Sequence, residues 1–437
     1  MRLSPLGDSA VLIESQLPLG VASDWVRQWI RALESDLVPG VSGIVGGAKS
    51  VAVFYQPADV SRSTEERPFQ SICRWIESRA SVLQSASAAA PREFFHPEDF
   101  AGLAPLSDEG APAEVGASAS ESAPTMVVKN GGSLTTVQDL GRGRFRNRGV
   151  PVGGALDRLA LRVANLLAGN PESAAGLEIS GWGPSLVFSA PTWVAICGAP
   201  VKGLPGWQPW LVQPGEMLTL SEVEGGARSY LAVAGGVVVP SLLGSGSTHL
   251  PGGVGGHEGR ALREGDCLRI GPSTTNYSET GHWSMAKDIL PRYEAAATVR
   301  VLPGPQAGLL TPEGRKAFEA ESFVVLPESD RGAVRLNGVA LEASQGADIP
   351  LEPMTEGAVY LRSDGLPAVA MADSPVIGVR PKLGYVITVD LPILAQLKPG
   401  DSVRFTPCEE ADAEALLLAR EHALAKLKEG LAGKRSA

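Results

Sequence analysis

Residues 185–198 read SLVFSAPTWVAICG. Two short β-type runs, SLVFS and TWVAICG, stand on either side of a proline turn. The same texture extends outward in both directions. From residue 126 to about 408 the chain continues through MVVKN, EMLTLS, SYLAVAGGVVV, CLRIG, TVRVLPG, SFVVLP, AVYLRS, AVAMA, YVITVD and SVRFTP, each closed by Gly/Pro turns. Helical pattern is rare between them. Many short strands with turn signals imply sandwiches or barrels. A break at residues 278–296, SETGHWSMAKDILPRYEAA, divides the region into two β-rich subdomains joined by a mixed segment. The expected fold is therefore mainly β with some α.

The flanks read differently. Residues 1–84 form a small α+β unit, beginning with a strand pair around the Gly7-Asp8 turn. ASDWVRQWIRALESDL is helical, with Trp25, Ile30 and Leu33 near one face and Asp24 early in the first turn. VSGIV and SVAVFYQ follow as strands, the second placing Val51, Val53 and Tyr55 on one side. ERPFQSICRWIESR makes a second helix with Phe69, Ile72, Cys73 and Ile76 at helical spacing. Residues 85–125, rich in Ala, Ser, Pro and Glu, read as a linker in which only EFFHPEDF carries much apolar weight. Residues 411–437 read as a C-terminal amphipathic helix with Leu417, Leu424, Leu427 and Leu431 near one face, docked on the barrel or on a partner.

The bulk numbers narrow the function. At 437 residues the chain divides into two or three domains, and 44% hydrophobic residues suffice for real cores. A formal net charge of −10 argues against nucleic acid or an anionic membrane as the main partner, while a small anionic substrate in a locally basic site is compatible with it. Cys73, Cys197, Cys267 and Cys408 are far apart and form no CxxC, which suits a reducing compartment and argues against structural zinc. The five histidines show no metal-binding spacing. No apolar run approaches the ~18–20 residues of a spanning helix, and the N-terminus lacks a signal-peptide pattern, so a cytoplasmic location is expected.

Positive charge concentrates in one place. Residues 135–170, TTVQDLGRGRFRNRGVPVGGALDRLALRVANLLAGN, hold Arg142, Arg144, Arg146 and Arg148 just before an apolar helix. That helix carries Leu156, Leu159, Ala160, Val163 and Leu167 on one stripe and ends at Gly169. A helix N-terminus after Gly153-Gly154 offers unpaired N–H groups, and arginine offers bidentate geometry for a carboxylate. Two readings follow. Either QDLGR and its turn form an anion-binding wall, or Arg142 and Asp139 pair internally and fix a tight turn.

TVQDLGR, the GA-D element and LALRVANLLAGNP resemble the signature region of the family of 5-oxoprolinase C subunits, also described as biotin-dependent carboxyltransferase or allophanate hydrolase subunit 2 (KipA-like). The resemblance continues through LEISGWGPSLVF, ARSYLAVAGGVVVPSLLGSGSTHL, GGVGGHEGRALREGD, VRVLPGPQ, ESDRGAVRL and DLPILAQLKPGDSVRFTP, covering 126–410. LGDSAVLIE and LVPGVSGIV followed by SVAVFYQP resemble the start of the partner B subunit (KipI-like), whose own cyclophilin-like domain has no counterpart here. The resemblance implies a B/C fusion with a truncated B part and cyclophilin-like β-barrel subdomains. It also implies ATP-dependent opening of 5-oxoproline to glutamate with a separate 5-oxoprolinase A subunit. Two other functions occur in related proteins: carboxyl transfer from carboxybiotin to urea or a similar amide, and non-catalytic regulation of the KipI/KipA type. Whether copies of the chain assemble is left open.

By the same resemblance Gln138, Asp139, Arg142, Asp157, Ser245, Ser247, Thr248 and Arg331 are candidate substrate-binding residues. Glu178, at a strand edge, is a candidate proton acceptor or the partner of a neighbouring turn. Lys382 is a candidate to polarise a carbonyl or hold a carboxylate. Three departures bear on catalysis: Gly246 stands where the family often has arginine, GAVRL replaces MGYRL after SDR, and SPVIGVRPK replaces a polar QTTGGYPK-like loop. The last removes donors that would stabilise developing charge on a cyclic amide.

Overall fold

The computed structural model describes residues 1–61, 66–86, 123–273, 275, 285, 291–344 and 349–435. Most of the expected linker, residues 87–122, lies outside them.

The N-terminal unit is a four-stranded antiparallel sheet ordered Arg2–Pro5, Ala10–Glu14, Ser50–Tyr55, Val41–Gly46. Helices α1 (Leu19–Glu34) and α2 (Pro68–Ala86) cover one face. As the alternation requires, Val51, Val53 and Tyr55 point to that side and pack with Val26, Trp29, Leu33, Ile72, Trp75 and Ile76. The other face is buried as well. Ala10, Leu12, Ala52 and Phe54 share a core with Met354, Ala358, Ala370 and Tyr385, at least 300 residues away in the chain.

The first β unit stacks two five-stranded sheets. One runs Pro209–Val212, Thr192–Gly198, Arg228–Val233, Gly176–Ser180, Leu134–Gln138; the other runs Met217–Thr219, Ser185–Phe188, Thr125–Asn130, Cys267–Ile270, Val237–Val238. Alternate residues of both, among them Met126, Leu186 and Phe188 from one and Val137, Ile179, Ile196 and Leu231 from the other, fill the space between them. SLVFS and TWVAICG thus end up in different sheets, parted by their proline turn. The helix expected after the arginines is α3 (Arg158–Ala168), with Gly169 at φ 86° as its C-cap. It covers the outer face of the first sheet, where Ala160, Leu161, Ala164 and Leu167 meet Ala195, Cys197, Tyr230 and Ala232.

The second β unit is a closed seven-stranded barrel. Parallel pairing of Ala296–Pro303 with Ser402–Pro407 completes the ring. Val299, Phe323, Leu336, Val359, Val369 and Phe405 fill its interior. Helix α4 (Pro312–Ala320) closes one side and the short α5 (Leu391–Gln396) lies next to the first unit. The mainly β class holds.

Helix α6 (Glu410–Arg435) joins all three parts. Its first turn holds α2, through Glu414 accepting from Phe69 N at 2.8 Å and Glu410 facing Arg67 at 3.2 Å. Its later turns bury Leu424 and Leu431 against α3, beside a bidentate Arg162–Glu421 pair at 2.8 and 2.6 Å. Among the described residues no helix is long and apolar enough to cross a membrane.

Candidate functional site

The QDLGR turn follows strand Leu134–Gln138 and crosses the Gly153-Gly154 turn backbone to backbone. A Cβ on Gly141 would lie 2.6 Å from the Gly153 carbonyl oxygen, and one on Gly154 would lie 2.7 Å from Gly141 N, so both positions need glycine. Asp139 ties this crossing to the GSGST loop. Its Oδ1 accepts from Gly141 N (2.7 Å), Ser245 Oγ (2.7 Å) and Ser247 Oγ, and its Oδ2 accepts from Gly246 N (2.6 Å). Thr248 Oγ1 donates to the Val137 carbonyl at 3.0 Å, and Gln138 Nε2 donates to Thr136 Oγ1 and the Thr248 carbonyl at 3.0 and 3.1 Å. Gln138, Asp139, Ser245, Ser247 and Thr248 are brought together, but as a buried clamp whose polar groups mostly satisfy one another. Gln138 Oε1 is the exception among them, buried without a partner.

Arg142 belongs to the same clamp. It is 4% exposed, and its guanidinium donates to the carbonyls of Leu242 and Ser247. The glycine-rich loop lies directly on it: a Cβ on Gly255 would come within 3.0 Å of Nη2. Burial lowers its pKa, opposed by the charges of Asp139 and Asp373. This corrects the anion-wall expectation, because Arg142 is turned inward onto backbone oxygens. The internal Arg142–Asp139 pair of the other reading is not formed either, since Asp139 is engaged by the loop.

The remaining arginines join parts of the chain. Arg146 stacks at 4.0 Å on Phe54 of the N-terminal sheet, and burial followed by the nearby Arg158 lowers its pKa to about 10. Arg148 lies 5.8 Å over Phe145, and Arg144 is exposed. The arginine stretch is largely the seam between the N-terminal unit and the first β unit.

Arg331 brings the second unit to the first. It donates to Asp373 Oδ2 and Oδ1 at 2.9 and 3.1 Å, to the Gly154 carbonyl at 2.6 Å, and to Glu178 Oε1. Glu178 Oε2 also accepts from Leu156 N and Tyr230 OH, both at 2.9 Å. Burial would raise the Glu178 pKa, but Arg331, Arg228 and these bonds outweigh it and hold it below the ordinary carboxylate value. Burial likewise opposes the charge on Arg331, and the two carboxylates more than reverse that. Glu178 therefore spends three of its acceptor positions on the protein itself and is held as the partner of Arg331. Its other sequence reading, a bond to a neighbouring turn, is the one the geometry matches.

Asp157 caps α3 through Ala160 N at 2.9 Å and accepts from Gln396 and Tyr293 at 2.9 and 3.0 Å; burial raises its pKa. The helix N-terminus expected to receive an anion is closed by the protein's own Asp157 and Glu178. Lys382 lies elsewhere, fully buried in the barrel wall, with Nζ 2.6 Å from Glu352 Oε2. Gln306 Nε2 donates to the same carboxylate at 3.1 Å. The two candidate catalytic side chains are thus separate, and each is matched by a buried opposite charge.

An open space lies between the two β units. A cleft of about 270 Å³ is walled by Leu156, Val334, Met371 and Leu397, with Arg228 and Lys398 among its polar residues. Sequence reasoning missed Asp373, Glu352, Arg228 and Tyr230. Asp373 stands in MADSP, at the edge of the loop where this chain departs from the family pattern. Nothing local marks Glu352 as the partner of a lysine thirty positions later. Among the described residues no group of three His, Cys, Asp or Glu side chains is placed to hold a metal ion.

Residues 148–407 match the family model described as carboxyltransferase domain, subdomain A and B. The 5-oxoprolinase C subunit of Escherichia coli is 36% identical over 288 residues, covering 64% of this chain and 91% of that protein. The urea amidolyase of Saccharomyces cerevisiae is 30% identical over 317 residues, covering 68% of this chain and 17% of that protein. In fold, the crystal structure of TTHA0988 aligns with a TM-score of 0.71 at 21% identity, covering 91% of this chain and 99% of that one. That cover omits fewer residues than the N-terminal unit contains, so the likeness extends into this unit. The Kluyveromyces lactis urea amidolyase aligns with a TM-score of 0.65 at 22% identity, over 96% of this chain and 27% of that one. By these matches the chain belongs to the carboxyltransferase domain family and is a homologue of the 5-oxoprolinase C subunit.

Proposed function

We propose that the chain is a B/C-type component of an ATP-dependent 5-oxoprolinase, converting 5-oxoproline to glutamate together with a separate A subunit. The observation that carries this reading is the 36% identity to a 5-oxoprolinase C subunit over nine-tenths of that protein. The N-terminal unit supports it further, because it shares a continuous core with the barrel in the manner of a fused partner. ATP supplies the activation that makes a ring amide open. Among the described residues the glycine-flanked helix N-terminus is capped internally and Arg142 is covered, so neither suits a phosphate. The nucleotide is assigned to the A subunit. Here Arg331, tied to Asp373 in its own unit and to Glu178 and the Gly154 carbonyl in the other, holds the two β units in register.

The test is reconstitution. Purified chain, cognate A subunit, ATP and 5-oxoproline release glutamate, and each component omitted abolishes release. A second reading has its own support in the 30% identity to urea amidolyase: carboxyl transfer from carboxybiotin to urea or a similar amide. Its assay adds a biotin carboxylase and biotinylated carrier in place of the A subunit. Failure of both assays with folded protein would leave a non-catalytic KipI/KipA-type binding role.

A further inference from the structure

The cleft between the two β units contains none of the side chains singled out for ligand binding from the sequence. Its walls are apolar, formed by Leu156 and Val223 from the first unit and Val334, Met371, Leu394 and Leu397 from the second. Arg228 lines it from the start of strand Arg228–Val233. Its Nη1 donates to the Ala395 carbonyl, while its Nε is buried with no acceptor. The Arg228 residue on the cleft wall gives the chamber positive charge, which an anion there would complement. Lys398 stands exposed among the cleft-lining residues. The acidic residue there, Asp330, is already committed, accepting from Gly332 N and Ala333 N at 2.8 and 2.9 Å and facing Arg335 at 3.3 Å. An apolar chamber with two cations and one neutralised carboxylate favours a ligand that is compact, largely apolar and negatively charged. The volume of about 270 Å³ lies just below the ~300–1,000 Å³ usual for ligand pockets, a size for a small metabolite.

We propose that this cleft binds a small organic carboxylate with a compact ring or branched body, its charge held by Arg228 and Lys398 and its body against Leu156, Val334, Met371 and Leu397. The choice of a cyclic carboxylate such as 5-oxoproline as ligand rests on the 5-oxoprolinase reading; the site itself does not. Calorimetric titration of the isolated chain, with neither the A subunit nor ATP, uses three probes: 5-oxoproline, cyclopentanecarboxylate and the neutral cyclopentanecarboxamide. Saturable binding of a carboxylate is expected, with the neutral amide at least about tenfold weaker, as loss of a charge-assisted bond implies. Arg228→Met should weaken carboxylate binding about tenfold or more. Lys398→Glu, at an exposed position where folding is not at stake, should weaken it several-fold. No saturable binding of either carboxylate to folded protein overturns the site, as does binding indifferent to Lys398→Glu. Binding of cyclopentanecarboxylate alone supports the site and removes 5-oxoproline as its ligand. Carboxylate binding without glutamate release in the reconstituted assay upholds the site while rejecting the 5-oxoprolinase reading. Glutamate release unaffected by Lys398→Glu, with no binding in the cleft, does the reverse.

Discussion

Replacing Arg331 by methionine tests the junction of the two β units most directly. The side chain makes four hydrogen bonds in the interior, two to Asp373, one to Glu178 and one to the Gly154 carbonyl. Methionine fills much of the volume but leaves two buried carboxylates without their cation. Breaking a buried ion pair from one side costs ~3–5 kcal/mol, and with two carboxylates orphaned the upper end, about 5 kcal/mol, is expected. For units of 150–250 residues that corresponds to a fall of about 10–20 °C in melting temperature. The pH dependence has a definite sign. In the native protein the Glu178 pKa is depressed, so its contribution is in place above the unfolded value of ~4.3 and is lost as pH falls through the folded value. In the variant, burial without Arg331 raises that pKa, a penalty fully present at neutral pH and relieved as the carboxyl protonates. The gap between the two proteins should therefore be widest near pH 7 and narrow toward pH 4. Scanning calorimetry at a series of pH values measures it. A shift below about 2 °C at pH 7, or a gap that does not change with pH, refutes the reasoning. The triple variant Glu178→Gln, Arg331→Met, Asp373→Asn should regain part of the loss, since no charge is then left unpaired.

Phe54→Ala removes both the ring under Arg146 and a core side chain shared with the barrel; a loss of ~3–5 kcal/mol is expected. Hydrogen exchange should locate it in residues 1–55 and the barrel, leaving the strands of the first unit protected. Asp139→Asn puts an NH₂ group where hydroxyl and amide donors converge, and urea unfolding should show a loss on the order of 2 kcal/mol. Lys382→Met leaves the buried Glu352 without its cation at a cost of ~3–5 kcal/mol, and adding Glu352→Gln should recover more than half of it. A double-mutant cycle with no coupling between those two positions would show that the pair contributes nothing.

Much of the fold was legible because alternation and helical spacing are local. Val51, Val53 and Tyr55 faced the helices as their pattern required, Gly169 ended α3, and Leu424 and Leu431 docked α6. The opposite face of Ser50–Tyr55 was not legible, since Ala52 and Phe54 are buried by residues at least 300 positions away. The site was harder for the same reason. Arg142 and Asp139 were read as neighbours in sequence, yet their partners come from the loop around residues 242–255, about a hundred positions on. Residue type announces a capacity for charge recognition, and only tertiary packing decides whether a substrate or the protein's own backbone takes it up. Glu178 shows this plainly: a carboxylate at a strand edge looked available until Arg331 arrived from the other unit.

The sheet that is covered on both sides also bears on how such assemblies are inherited. Were residues 1–86 made as a free polypeptide, the face carrying Ala52 and Phe54 would need to find the barrel by diffusion, and occupancy would track the amounts of both. Joined in one chain, the encounter becomes intramolecular, and its effective concentration is fixed by the covalent connection. Fusion here thus guarantees one-to-one stoichiometry and makes docking insensitive to expression level, without requiring any new contact.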